Sequence, residues 1–134
     1  MIDDATFLVL GILFVHWVGD FVLQTHWMAT NKSRNRDALL SHISVYYLTL
    51  VLGTGLLFYH SYGADSSLWG MLVMWWIING AAHFAVDFVT SRLTSRLWQR
   101  EDYHNFFVVV GFDQFLHYAC LFATLHWMLG LPPR

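Results

Sequence analysis

Three short patterns set a histidine and an aspartate one helical turn apart. They are His16 and Asp20 in HWVGD, His83 and Asp87 in HFAVD, and Asp113 and His117 in DQFLH. Residues spaced i, i+4 share one face of a helix, so each pair would present an imidazole beside a carboxylate. A seventh group, His42, has only Tyr46 one turn further on. Imidazole and carboxylate are the ligands that divalent transition metals such as zinc, manganese or iron accept. His16, Asp20, His42, His83, Asp87, Asp113 and His117 are therefore candidate ligands for one or two such ions, with Asp20, Asp87 and Asp113 able to bridge ions or take part in chemistry.

The surroundings make this pattern costly. Every one of the seven lies in an apolar stretch, and an ionised side chain near the middle of a membrane helix costs about 2.5–3.5 kcal/mol on insertion scales. Charge favours two ions. Two divalent cations with one bridging hydroxide neutralise three aspartates, whereas a single ion leaves net negative charge in a medium of low dielectric. Two other readings use the same residues. The pairs could hydrogen-bond and lock the helices together, as polar contacts in membranes do, or they could form a metal-free proton or ion path. Polar glue is usually Ser, Thr, Asn or Gln, however, and a pair within one helix ties no two helices together.

Four elements must position these groups. The 134 residues are 57% hydrophobic and only 12% charged, with mean hydropathy +0.47, the profile of an integral membrane protein. Apolar runs long enough to cross the ~30 Å hydrocarbon layer extend over Ala5–Leu23, Ala38–Tyr59, Leu68–Thr90 and Phe106–Leu129. The expected fold is an all-α, four-helix membrane bundle, a single domain over residues 1–134. Residues 91–102 continue the third helix as a basic amphipathic extension, and Pro132 and Pro133 stop the last. The acidic start, MIDD, has neither the basic residues nor the cleavage site of a signal peptide, so the first run is expected to stay as a permanent helix. The net charge of −2 offers no basic field for nucleic acid. The single cysteine, Cys120, cannot form an internal disulfide.

Charge also suggests orientation. Lys32, Arg34 and Arg36 fill the first connector and Arg92, Arg96 and Arg100 follow the third run, while the second connector has no Lys or Arg. The positive-inside rule then puts the first and third connectors in the cytoplasm and both termini outside, with Arg134 dissenting. Trp27, Trp69, Trp98 and Trp127 fall near helix ends, as interfacial anchors would. At ~1.5 Å per residue, the seven candidate ligands lie one to three turns in from the cytoplasmic ends and can meet in one layer. Asn79 and Ser91 share the third helix with His83 and Asp87. Gln24, Gln114 and Tyr46 could orient ligands from behind. Lys32 and Arg92 read first as topology signals, and more sharply as groups that meet an anionic head group or phosphate. His26, His60, His104 and His126 lie near helix ends or in connectors, and Asp3, Asp4, Asp65 and Asp102 are expected in water. HWVGDFV and HFAVDFV match at four of seven positions, which suggests two hairpins related by a pseudo-two-fold axis along the membrane normal.

Taken together, these motifs resemble an uncharacterised family of small bacterial and phage membrane proteins, domain-of-unknown-function family 3307. The resemblance rests on His16, Asp20, Phe21, Leu23, Gln24, Trp27 and Lys32, then His42, then His83 and Asp87, and last Asp113, Gln114 and His117. It covers nearly the whole chain and implies no activity. A looser likeness, to inner-membrane metal-dependent hydrolases with His and Asp inside their spans, is an analogy only. The expected function is metal-dependent hydrolysis of a lipid-linked or membrane-soluble substrate at the cytoplasmic side of a bacterial inner membrane. The alternatives are a proton or metal-ion transporter and a non-enzymatic structural or partner-binding protein. Membrane lipid is the expected partner, and a homo-oligomer is compatible with the sequence.

Overall fold

The computed structural model describes residues 3–64 and 66–130, without the side chain of Ser66. Asp65, Pro132, Pro133 and Arg134, each given a role above, lie outside the described residues. The chain is all-α. Helix α1 (Asp4–Trp17) runs into one π-helical turn, Val18–Val22, and a short helix α2 (His26–Asn31) follows. Three long helices complete the fold: α3 (Arg36–Tyr62), α4 (Ser66–Gln99) and α5 (Tyr103–Met128). Four segments are long and apolar enough to cross a membrane: Asp4–Val22, Arg36–Tyr62, Ser67–Gln99 and Tyr103–Met128.

Local chemistry marks where the helices begin. Asp3 accepts from the Thr6 amide at 2.8 Å, Thr25 from the Met28 amide at 3.3 Å and Asn35 from the Asp37 amide at 2.8 Å. Asp102 caps α5 through the Asn105 amide at 3.3 Å, and the Asn105 side chain also donates to it. Such caps satisfy amide donors that have no partner in the first turn. Those hydrogen bonds from Asn105 hold the Asp102 carboxyl below its ordinary range. At the far end of α5, Gly130 takes the left-handed backbone (φ 63°) that suits a residue just past a helix.

Two features differ from the expected spans. The first span is not a plain α-helix, because the Leu23 amide reaches back five residues to the Val18 carbonyl at 2.9 Å. Such a π turn often marks a functional position, and Asp20 sits within it. The backbone there lies close to α3: a Cβ on Gly19 would stand 3.2 Å from Thr49 and 3.3 Å from Tyr46. The second difference is α2, which occupies what reads as connector. Its buried Met28 pins the loop beneath the bundle.

The helices pack as α1 on α3, α3 on α4 and α4 on α5. The first and last of these are the hairpin pairings that a two-hairpin repeat would require. Without a hydrophobic drive between helices in lipid, close approach through small residues does the packing. Gly53 faces Val15, where an added Cβ would come within 2.6 Å of a methyl. Gly80 lies under the Tyr47 ring at a similar distance.

The interior is divided along its length. One half is an apolar core of Leu8, Ile12, Leu50, Phe58, Leu72, Trp75, Leu121 and Leu125. The indoles there are satisfied: Trp75 donates to the Leu121 carbonyl at 3.1 Å and Trp76 to the Thr54 hydroxyl at 2.8 Å. Trp69 packs against this core instead of standing free at the rim. Asn79 closes the half, donating to Thr124 Oγ1 and the Trp75 carbonyl, both at 2.9 Å. Beyond it lies the polar layer. Outward, the helices expose large apolar residues such as Leu10, Phe14, Leu52, Leu56, Val89, Phe107 and Phe115, a surface suited to lipid.

The α1–α3 seam makes a testable claim. Gly53→Ala forces a methyl against β-branched Val15, and overpacking of this kind costs about 1–3 kcal/mol. Gly111 has nothing within 4 Å of its Cβ position, so Gly111→Ala should be neutral or slightly stabilising. Thermal denaturation of the two variants in the same detergent checks the difference; equal melting temperatures would refute the tight seam.

Candidate metal centre

Each long helix delivers part of the polar layer. His16 comes from α1, Asp20 from the π turn, His42 from α3, His83 and Asp87 from α4, and Asp113 and His117 from α5. Six of these seven are at most 3% exposed. Asp113 is less enclosed, with 14% of its side chain accessible.

One set of donor atoms is compact. His42 Nε2 lies 3.2 Å from Asp20 Oδ1, 2.9 Å from Asp87 Oδ2 and 3.3 Å from His83 Nε2. His83 Nε2 is 3.8 Å from Asp20 Oδ1 and 4.0 Å from Asp87 Oδ2. Around an ion with ligand bonds of about 2.0–2.2 Å, ligand atoms stand roughly 3–3.6 Å apart, so small adjustments would suffice. Two further sets are His16, Asp20 and His117, and Asp87, Asp113 and His117. In each set the ligand atoms lie within 4.8 Å of one another. The sets overlap at Asp20, Asp87 and His117, and a carboxylate has two oxygens with which to serve two ions. These buried groups could hold a metal ion.

Unpartnered atoms point the same way. Among the described residues, both ring nitrogens of His117 and the Nδ1 atoms of His42 and His83 are buried without a hydrogen bond. Such an orphan costs about 1–3 kcal/mol. His117 Nε2 stands 3.8 Å from Asp87 Oδ1 and Nδ1 stands 3.6 Å from Asp113 Oδ2, too far for direct hydrogen bonds but suited to a cation between.

A second ring of residues steadies the first. The Gln114 amide nitrogen donates to Asp20 Oδ2 at 2.8 Å and to Asp113 Oδ2 at 3.0 Å, while its oxygen faces His16 Nε2 at 3.0 Å. That assignment puts a proton on His16 Nε2 and leaves Nδ1 to accept from the Tyr46 hydroxyl, 3.1 Å away. His16 is thus engaged at both nitrogens and must release Gln114 before it can ligate an ion. The Tyr46 ring also stacks flat on His83, centroids 3.6 Å apart. Thr90 donates to Asp113 Oδ1 at 2.5 Å, and Tyr118 meets the His16 ring edge-on. Sequence reasoning did not single out Thr90 or Tyr118. Thr90 carries a usable signal, three residues after Asp87 and so near the same helix face; Tyr118 carries none.

One cation already reaches the layer. Lys32, at the end of α2, donates to Asp87 Oδ2 at 2.7 Å and lies 3.2 Å from His42 Nε2. Arg92 does not join it. Its guanidinium lies 3.7 Å above the Phe88 ring and donates to the Phe88 carbonyl. A cavity of about 230 Å³ opens onto the carboxylates, lined by Asp20, Gln24, Lys32, Asp87, Ser91 and Asp113. Gln24 Oε1 and Ser91 Oγ, both lining it, are buried without a hydrogen bond. The other histidines stay apart from the layer, His60 lying tilted against Phe7 with ring centroids 5.4 Å apart.

Lys32 tests the electrostatics. Removing one partner of a buried ion pair leaves an uncompensated charge and costs about 3 kcal/mol or more. Lys32→Met should therefore destabilise chelator-treated protein strongly, and a divalent ion should restore much of the loss. Melting curves with and without added zinc or manganese measure both effects. A variant as stable as wild type after chelation would show that Asp87 does not depend on this lysine.

No curated protein and no solved structure matched the chain. A family profile does match, over residues 8–132, and it spans the four long helices and all seven convergent His and Asp residues. The chain belongs to the family described as protein of unknown function (DUF3307).

Proposed function

We propose that this protein is a metal-dependent hydrolase of the bacterial inner membrane, acting on a lipid-linked or membrane-soluble substrate. The observation that carries the reading is the cavity on the carboxylate side of the cluster. An ion held by three of His42, His83, Asp20 and Asp87 would keep a fourth position for a reactant, as catalytic sites do, whereas all four together would make a closed structural site. A second ion would draw on His117, Asp113 and the outer oxygens of Asp20 or Asp87. The ions, one or two of zinc, manganese or iron, would supply Lewis acidity and a lowered pKa for bound water.

The chain's own residues take the remaining roles. Asp113 faces the cavity and is fixed by Thr90 and Gln114; with one ion bound at the first set it would accept the proton that water gives up, and with a second ion it would ligate instead. Lys32 is placed to exchange Asp87 for an anionic group of the substrate. Gln114 holds Asp20, Asp113 and His16 in register, and Tyr46 sets the planes of two imidazoles. The apolar half of the bundle favours hydrolysis over transport. Beyond Asn79 the interior contains Leu, Phe and Trp, which gives an ion no second set of partners.

Two experiments test the proposal. Wild-type protein should purify with stoichiometric divalent metal, and chelation should lower its melting temperature, since an ion bound only to the folded state stabilises it by mass action. Asp87→Asn should lose the metal while inserting normally, because a neutral amide is easier to bury. Wild type that carries no metal and does not respond to chelation would remove the metal centre. For orientation, single cysteines in a Cys120→Ser background should report by labelling of intact cells. Positions Asn35 and Gln99 should be protected and Gly63 should react; outside labelling of Asn35 would move the site to the opposite face.

A further inference from the structure

The cavity at the carboxylates does not end there. Ala29, Lys32, Ser91, Thr94 and Phe106 also line a neighbouring hollow of about 400 Å³ between α2, α4 and the start of α5. Ser33, Arg34, Ser95 and Gln99 are shared in turn between that hollow and a third, of about 250 Å³, which adds Arg92 and Arg96. Through these shared lining residues the three hollows adjoin one another, from the buried cluster toward the arginines. The lining changes along the way: carboxylates at the inner end, then hydroxyls beside Phe106 and Trp98, then Arg34, Arg96 and Arg92, the last with its guanidinium turned onto Phe88.

Those three arginines have no acidic partner. Among the described residues, no carboxylate lies within ion-pair distance of Arg34, Arg92 or Arg96, and the outer hollow has no acidic lining residue. Arg34 and Arg96 line one hollow, where like charges repel one another unless an anion offsets them, and Arg92 would join them by turning from Phe88. Guanidinium groups suit phosphate oxygens, which accept two parallel hydrogen bonds from one fork. Ser33, Ser95 and Gln99 add neutral donors. Ordinary topology signals need only be basic; they need not gather around a shared space.

We propose that Arg34, Arg92 and Arg96 form a phosphate-binding subsite at the membrane surface, joined by the hydroxyl-lined cleft to the metal centre. Resting on the hydrolase reading, this makes the substrate a phosphorylated amphiphile. Its head group would lie along the cleft between the arginines and Lys32, and its chain would leave past Phe106 and Trp98 into lipid.

Binding is measured on the full-length protein in phosphatidylcholine nanodiscs. The probes are dioctanoyl phosphatidic acid and inorganic phosphate, with dioctanoylglycerol and matched sodium chloride as controls. Wild type should bind phosphatidic acid and not dioctanoylglycerol. Removing a charged donor to phosphate typically costs a factor of about ten or more, so Arg34→Gln/Arg92→Gln/Arg96→Gln should weaken binding by at least that factor, with its melting temperature without ligand close to wild type. Phosphatidic acid bound much more tightly than inorganic phosphate identifies a lipid head group; equal affinities identify a soluble phosphate compound, and both keep the subsite. Wild type that binds neither probe, or a triple variant that binds like wild type, overturns it. Asp87→Asn serves as the separating control. If it loses metal but still binds the probe, the two sites stand independently, and if wild type lacks metal yet binds phosphate, only the hydrolase reading falls.

Discussion

The constraint on which the structure depends is charge balance in a layer that water scarcely reaches. Asp20 and Asp87 are almost fully enclosed, and four imidazoles surround them. An isolated carboxylate in such a place would take up a proton rather than stay charged. Here Lys32 supplies positive charge, the convergent imidazoles and Gln114 supply hydrogen-bonding groups, and a divalent ion would supply further charge. The rest of the bundle can be understood as support for that layer. Small residues let α1 and α3 close on each other, tryptophan and leucine fill the other half, and the apolar exterior suits lipid.

Hydrogen bonding then narrows which residues are free to act. His16 is occupied at both ring nitrogens, by Tyr46 and Gln114, whereas His117 has no hydrogen bond at either. The two residues look equivalent as motif members, each one turn from an aspartate. In the fold they differ: one is held as part of the frame, and the other is left seeking a partner. Asp113 differs from the other two carboxylates in a similar way, since it faces the cavity and is held by neutral donors.

Much of this could be read from the amino-acid pattern. The four spans were legible because apolar runs of that length have few alternatives. The His–Asp pairs were legible because ionisable groups are rare in such runs, and the i, i+4 spacing fixes a shared face. The π turn was not, since it reflects how closely Gly19 comes to Tyr46 and Thr49 on another helix. The six-residue helix α2 is too short for periodicity to reveal, and so the reach of Lys32 into the layer was visible only as a basic residue near a motif. Arg92 shows the limit of proximity in sequence. Five residues beyond Asp87, it sits well around the helix from that face, and it stacks on Phe88 instead of entering the cluster.

Apart from His16, one turn before it, Asp20 has its partners on α3, α4 and α5, which follow it in the chain. During synthesis this carboxylate therefore emerges before His42, His83 or Gln114 is available. Until they follow, the first helix offers Asp20 only His16. A chain truncated before α5 would lack Gln114, Asp113 and His117, so Asp20 would lose the amide that donates to its Oδ2 and Asp87 would lose the imidazole facing its Oδ1.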